Sequence, residues 1–232
     1  MFKILSDGNR GTGRGLFASM HRLRHKIFIE EQSWPLGDIC SLCGMERDDF
    51  DVPAARYIVR VNGQGDVDAC MRLLPTSGPY LLGMKFGDLI QKIPKPNSPW
   101  IWEVSRLCAD RNACASGQLM AAMLEFGLAN GVTNYVSVCD VRMEPALRRC
   151  GSVFSRIGEP RRCGGDLIVG VIFKVSDAIL HDVRKKSGIS GPLLDFGSEA
   201  RSLRESRDGS AHGATCSNVS SKNGRRFERQ PT

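Results

Sequence analysis

The sequence predicts an α/β fold: one domain with a central mixed, mostly antiparallel sheet and helices on both faces. Three observations predict it. Two apolar runs, Ala55 to Val61 and Ala69 to Leu74, flank Asn62-Gly63-Gln64-Gly65, a turn suited to an antiparallel hairpin. Further on, strand-like and helix-like patterns alternate from Trp100 to Val175, the order that builds a sheet covered by helices. Near the start, Leu16, Met20, Leu23, Ile27 and Phe28 recur at the spacing of one helix face.

Each element follows from local signals. The first helix spans about Gly15 to Glu31 and ends before Trp34-Pro35-Leu36-Gly37. An acidic loop leads into the hairpin, and Pro75-Thr76-Ser77-Gly78-Pro79 closes it. Leu82 to Ile90 reads as a short helix; Pro94, Pro96 and Pro99 then force an extended connection, since proline fixes φ and removes a donor. Trp100 to Ala109 is a strand. Gln118 to Ala129 is a helix with Leu119, Met123 and Phe126 on one face, stopped at Gly131. Thr133 to Cys139 is a strand, Glu144 to Cys150 a short helix closed by Gly151, and Leu167 to Val175 an apolar strand. Ser176 caps a final helix to Lys185. A central strand followed by a helix is the arrangement of GNAT-type acyltransferases, so a GNAT-like domain is expected over residues 1–185.

Composition sets the boundaries. From Lys186 to Thr232 Ser, Gly, Arg and Asn dominate, and so few apolar residues do not offset the entropy of ordering. Residues 186–232 are expected to be a disordered tail. The formal net charge is +7; the tail holds eight Lys or Arg against five Asp or Glu, leaving about +4 on the domain. That excess permits an acidic partner without choosing one. Nine cysteines follow no regular spacing, and Cys40-x-x-Cys43 lacks the second pair that structural zinc requires. The first residues lack a signal-peptide core, and no apolar stretch is long enough to span a bilayer. A soluble, cytoplasmic protein is expected.

The charged residues within the apolar segments carry the chemistry. Arg24 and Phe28 share a helix face, Trp34 lies just beyond, and Glu46, Asp48, Asp49 and Asp51 form an acidic cluster. Arg72 sits in one strand, Glu103 and Arg106 in another. Each has an ordinary explanation: a helix-edge arginine, an anchoring aromatic, a solvated turn, a structural ion pair. The acidic cluster also lacks the glycine and distal glutamate of a calcium loop.

Taken together, Arg24-x-x-x-Phe28-x5-Trp34, Glu46-x-Asp48-x-Phe50-Asp51, Arg72-Leu73-Leu74-Pro75-Thr76, Phe86 and Glu103-Val104-Ser105-Arg106 resemble the signature of the LuxI-type acyl-homoserine-lactone synthases. The resemblance implies a cytoplasmic acyltransferase that makes an N-acyl-L-homoserine lactone quorum-sensing signal. Its substrates would be S-adenosylmethionine and an acyl thioester of acyl carrier protein or CoA, with methylthioadenosine released. S-adenosylmethionine is then a substrate; no cofactor or metal is implied, and no nucleic-acid or membrane partner.

That resemblance also assigns residues. Glu103, Arg106, Arg72 and Asp48 are the candidate catalytic set, with Glu103 freeing the amine of its proton and Arg106 orienting it or stabilising negative charge. Arg24, Phe28, Trp34, Glu46, Asp48, Asp51, Phe86 and Ser105 would bind S-adenosylmethionine. The aromatic faces suit a cation or adenine, Arg24 or Arg72 a carboxylate, and Asp48 and Asp51 would hold the ammonium or organise the arginines. Met123, Phe126, Val136, Ser137, Val138 and Met143 would line the acyl pocket. Arg148, Arg149 and Arg161 would dock a carrier protein. Side chains alternate along a strand, so Glu103 and Arg106 reach one site only across a bulge, expected between Glu103 and Cys108.

Two other readings compete. Another GNAT-type N-acyltransferase using acyl-CoA would show a glycine-rich pyrophosphate loop, which Arg111 to Gly117 lacks. A basic nucleic-acid-binding module would carry a helix-turn-helix, zinc finger or RNA-binding signature beside its arginines, and none is present.

Overall fold

Strands β1 (Phe2–Leu5), β2 (Arg56–Val61), β3 (Val67–Pro75) and β4 (Ile101–Ala109) pair antiparallel in that order. Strand β5 (Asn134–Asp140) adds parallel to β4, and β8 (Asp166–Lys174) adds antiparallel to β5. The short strands β6 (Phe154–Arg156) and β7 (Arg161–Cys163) both pair with β8. The result is one eight-stranded mixed sheet, mostly antiparallel. The computed structural model describes residues 1–32, 44–110, 115–194 and 196. Trp34, Cys40, Cys43 and Arg111 lie outside the described residues.

Helix α1 (Arg14–Arg24) packs across β3 and β4. Its Phe17 and Met20 join Tyr57 and Val59 in one buried cluster, whereas Ile58 is buried outside it, as alternation requires. Helix α3 (Ser116–Asn130) packs against β2 and β3 and against α5 (Asp177–Lys186). Gly131 ends α3 at φ +69°, the left-handed conformation expected of its stop signal. Helices therefore cover both faces, as the sequence predicts.

Four readings need correction. The first helix changes register: His25–Glu31 continues α1 as a π-helix, which leaves the apolar stripe in place and so is invisible to periodicity. The expected helix from Leu82 to Ile90 is the five-residue α2 (Leu81–Lys85) followed by a separate turn at Gly87–Leu89. Strands β1, β6 and β7 carry too little alternation to be read. The expected domain end at 185 is early, because the compact unit is Met1–Asp195. The reason is Glu125, buried in α3, whose carboxylate accepts the Leu193 and Leu194 N–H groups at 2.9 to 3.0 Å and Arg184 Nη2 at 2.9 Å. Leu194 also bridges to Phe2 on β1.

Two irregularities in β4 prepare the site. Its parallel ladder with β5 runs only from Ile101 to Glu103, opposite Asn134 to Val136, and the two strands separate beyond that point. On its other side Cys70 pairs with Cys108 and Arg72 with Ser105, so Arg106 and Leu107 together oppose Met71. This is the expected bulge, and Arg106 sits in it at φ +53°.

Candidate active site

Six buried or half-buried charges lie behind the bulge. Arg24 donates to both oxygens of Asp51, at 2.7 and 3.0 Å, and through Nε to Glu46. Arg72 donates to both oxygens of Asp48, to Asp51 at 3.1 Å and to Ser105 Oγ at 3.2 Å. Arg106 reaches Glu46 Oε1 at 3.0 Å and Asp48 Oδ2 at 2.5 Å. Three guanidinium groups thus meet three carboxylates, and the network is neutral. That balance is what allows Arg24 and Arg72 to be fully buried, since an unpaired charge there would cost several kcal/mol.

The surroundings tune these groups. Burial alone would push the Asp48 and Asp51 carboxyls up, but the adjacent arginines outweigh it and hold both below the usual range. Tyr57 donates its hydroxyl to Asp51 at 2.8 Å. His21 brackets Glu46: Nδ1 lies 2.8 Å from the Glu46 carbonyl, and the His21 carbonyl accepts the Glu46 N–H at 3.0 Å. Burial, then the charge of Arg24, lowers the His21 pKa to about 4, so the ring is neutral. The faces of Phe50 and Phe28 sit under Arg72 and Arg106, each with 5.7 Å between ring centroid and guanidinium carbon.

Glu103 is separate from this network. It is 1 % exposed and accepts the Leu81 N–H at 3.0 Å and the Leu82 N–H at 2.5 Å, at the start of α2. Burial raises its pKa above the usual carboxyl value, with the two N–H groups and Arg72 opposing. A raised pKa is the property a proton-accepting carboxylate needs near neutrality.

A cavity of about 550 Å³ joins these parts. It occupies the gap where β4 and β5 separate. Its α1-side wall includes Phe28, Asp48 and Phe50, with Glu103, Ser105 and Arg106 on β4; its α3-side wall includes Met120 and Met123. Beyond them Val138, Met143 and Leu147 continue a largely apolar lining toward Cys163 and the Gly164-Gly165 turn. One end therefore offers charge and aromatic faces, the other a greasy chamber that could take an acyl chain.

Most of the expected site converges here. Phe28, Asp48, Phe86, Glu103, Ser105, Arg106, Met123, Ser137, Val138 and Met143 all line the cavity. Arg24, Arg72, Glu46 and Asp51 do not; they form the layer behind it. Arg24 and Arg72, each expected as a grip for a substrate carboxylate, are fully buried behind the cavity wall and donate to Glu46, Asp48, Asp51 and Ser105. Of the two roles expected for Asp51 the geometry favours organising the arginines, since it accepts from both Arg24 and Arg72 and does not line the cavity. Phe126 turns away and packs edge-on to Trp102, with centroids 5.5 Å apart. Val136 stands at the last closed rung opposite Glu103, before the gap opens.

Of the expected docking arginines, Arg148 and Arg149 are exposed on α4 (Glu144–Arg149), Arg148 stacking on Phe154 at 4.4 Å. Arg161 is instead paired with Asp88 at 2.6 Å. Sequence reasoning missed Lys85, Asp49 and Met120 as lining residues. Met120, three residues before Met123 on the same helix face, carried a readable signal. Among the described residues no His, Cys, Asp or Glu cluster is arranged to hold a metal ion, and no helix is long and apolar enough to cross a membrane.

Comparison with known proteins agrees with this architecture. The acyl-homoserine-lactone synthase of Pseudomonas aeruginosa is 33 % identical over 177 residues, 75 % of this chain and 86 % of that protein. That of Agrobacterium fabrum is 30 % identical over 192 residues, 78 % and 90 %. A CoA-dependent acyl-homoserine lactone synthase solved with SAM and isopentyl-CoA superposes with a TM-score of 0.76 at 27 % identity, covering 87 % of this chain and 98 % of that one. The family model for autoinducer synthases matches residues 13–183. This chain, with its GNAT-like sheet split at Glu103, belongs to the autoinducer synthase family.

Proposed function

We propose that the chain makes an N-acyl-L-homoserine lactone from S-adenosylmethionine and an acyl thioester. The observation that carries this reading is the single cavity with a charged, aromatic end on one side of Glu103 and an apolar chamber on the other. In the first step the amine of S-adenosylmethionine attacks the thioester carbonyl, the C–N bond forms, and the thiol leaves. Glu103 takes the amine proton, directly or through a water, and its raised pKa suits that task. In the second step the methionine carboxylate attacks its own γ-carbon, the C–S bond breaks, and methylthioadenosine leaves with the electron pair. Neither step calls for a metal or redox cofactor, because a thioester is already activated and a sulfonium is a good leaving group.

Phe28, Phe50 and Phe86 offer faces for the sulfonium or adenine. Asp48 and Arg106 border the reacting atoms, and Arg72 positions Asp48 from behind. Met120, Met123 and Met143 suit an acyl chain of variable shape, since methionine is unbranched and adaptable. The donor is acyl-CoA or an acyl carrier protein. The likeness to a CoA-dependent synthase supports the first; exposed Arg148 and Arg149 support the second.

The test is to incubate the purified chain with S-adenosylmethionine and matched acyl-CoA and acyl-carrier-protein panels. Release of methylthioadenosine together with a lactone seen by mass spectrometry supports the assignment. Absence of both with every donor overturns it. Arg148→Glu combined with Arg149→Glu should raise KM for the carrier protein and leave KM for S-adenosylmethionine unchanged. Equal KM values for the carrier protein remove the docking role.

A further inference from the structure

We infer that Lys85 is the cation that holds the carboxylate of S-adenosylmethionine, an inference that rests on the proposed function and names a residue for that site. The argument begins with which charges are committed. The donors of Arg24 and Arg72 go to Glu46, Asp48, Asp51 and Ser105, and neither residue lines the cavity. Arg106 does line it but is held between Glu46 and Asp48. Among the described lining residues the remaining cation is Lys85, which is exposed and has no ion pair within the described chain. A bound carboxylate beside the negative ends of Glu103 and Asp48 needs a positive counterpart, and the arginine network, already neutral, does not supply one.

Position supports the same residue. Lys85 lies four residues after Leu81 on α2, so the two share a face and are about 6 Å apart along the axis; both line the cavity. The Leu81 N–H is bonded to Glu103. Helix side chains lean toward the N-terminus, which carries the Lys85 ammonium back over the Leu81 turn toward Glu103. In S-adenosylmethionine the amine and the carboxylate are attached to one carbon. A group that holds the carboxylate must therefore lie near the nitrogen that Glu103 deprotonates, and Lys85 lines the same cavity as Glu103.

The residue type also fits the reaction. The carboxylate that is held during acyl transfer must then swing onto the γ-carbon. An ammonium on a flexible stem is a point charge that can follow it, whereas a forked guanidinium would fix it.

Two ligands test the inference. S-adenosylhomocysteine and methylthioadenosine share the thioether nucleoside, but the aminocarboxylate is present only in the first. Lys85→Met should weaken S-adenosylhomocysteine binding by roughly 10-fold and leave methylthioadenosine binding unchanged, and KM for S-adenosylmethionine should rise while KM for the acyl donor does not. Lys85→Arg should recover most of the affinity with a lower kcat. An S-adenosylhomocysteine affinity unchanged by Lys85→Met, an equal loss for both ligands, or a rise confined to the donor's KM overturns the inference; the last assigns Lys85 to a donor phosphate. If the unaltered protein binds neither S-adenosylmethionine nor S-adenosylhomocysteine, the proposed function itself falls.

Discussion

Asp51→Asn is the perturbation that most directly tests how the charged layer works. Asp51 accepts two hydrogen bonds from Arg24, one from Arg72, one from the Tyr57 hydroxyl and one from the Asp48 N–H. The change is isosteric, yet it removes one negative charge from a balanced set. Arg24 and Arg72, both 0 % exposed, would then be under-compensated. Breaking one partner of a buried pair costs about 3–5 kcal/mol, and for a domain of this size about 1 kcal/mol shifts Tm by 2–4 °C. The expected loss is about 6–20 °C, read by calorimetry or circular dichroism. Because Asp51 does not line the cavity, KM for S-adenosylmethionine should change less than in Asp48→Asn at a temperature where both are folded. A Tm within 2 °C of the unaltered protein would refute the view that this layer is held by charge balance.

Three further outcomes follow from the same geometry. Glu103→Gln keeps the shape but only one accepting oxygen, so one of the Leu81 and Leu82 N–H groups loses its acceptor at a cost of about 1–3 kcal/mol; in the folded protein kcat should fall about 10²- to 10⁴-fold, and a loss under tenfold would remove Glu103 as the base. Truncation after Lys186 deprives buried Glu125 of the Leu193 and Leu194 donors and should cost about 3 kcal/mol in denaturant unfolding, whereas truncation after Phe196 should cost nothing measurable. His21 is neutral in the folded state down to about pH 4, while in the unfolded chain it takes up a proton near 6.5. The unfolded state binds more protons between those values, so stability falls as pH drops from 6.5 to 4, by up to roughly 3 kcal/mol. His21→Phe should flatten that part of the pH profile; an unchanged slope would assign it to other groups.

Much of this molecule was legible in its sequence, and the exceptions share a cause. Helix α3, the β2–β3 hairpin and strands β4, β5 and β8 announce themselves by local pattern. The bulge was legible because Glu103 and Arg106, three apart, were both required at one site. What was not legible depends on partners distant along the chain. Arg24 reads as a helix-edge residue, but Glu46 and Asp51, 22 and 27 residues away, draw it fully inside. Phe126 and Met123 share a stripe on α3, yet Trp102 claims the former and the cavity the latter. Val136 and Val138 are alternate residues of one strand, and the point where β4 leaves β5 decides that only Val138 reaches the opening. The segment after Lys186 has the composition of a tail, and one buried glutamate is enough to tie its first residues down.

The bulge explains why this sheet can bring two dissimilar substrates together. Arg72 pairs with Ser105 and Cys70 with Cys108, and Cys70 and Cys108 belong to the α1-side cluster. By alternation Glu103 and Ser105 face the α1 side as well, and in an unbroken strand Arg106 would face α3 with Val104. The extra residue reverses that parity and turns Arg106 back toward Glu46, Asp48 and Phe28. A non-glycine residue at φ +53° costs about 1–3 kcal/mol, and glycine would relieve it. The strain is retained because only a long cation there can close the charge network at the cavity wall. With Arg106 on the α1 side and the β4–β5 gap beginning just after Glu103, the polar reactants meet on one face of the sheet. The apolar chain leaves through the gap toward Met120 and Met123, and Glu103 stands at the point where the two paths join.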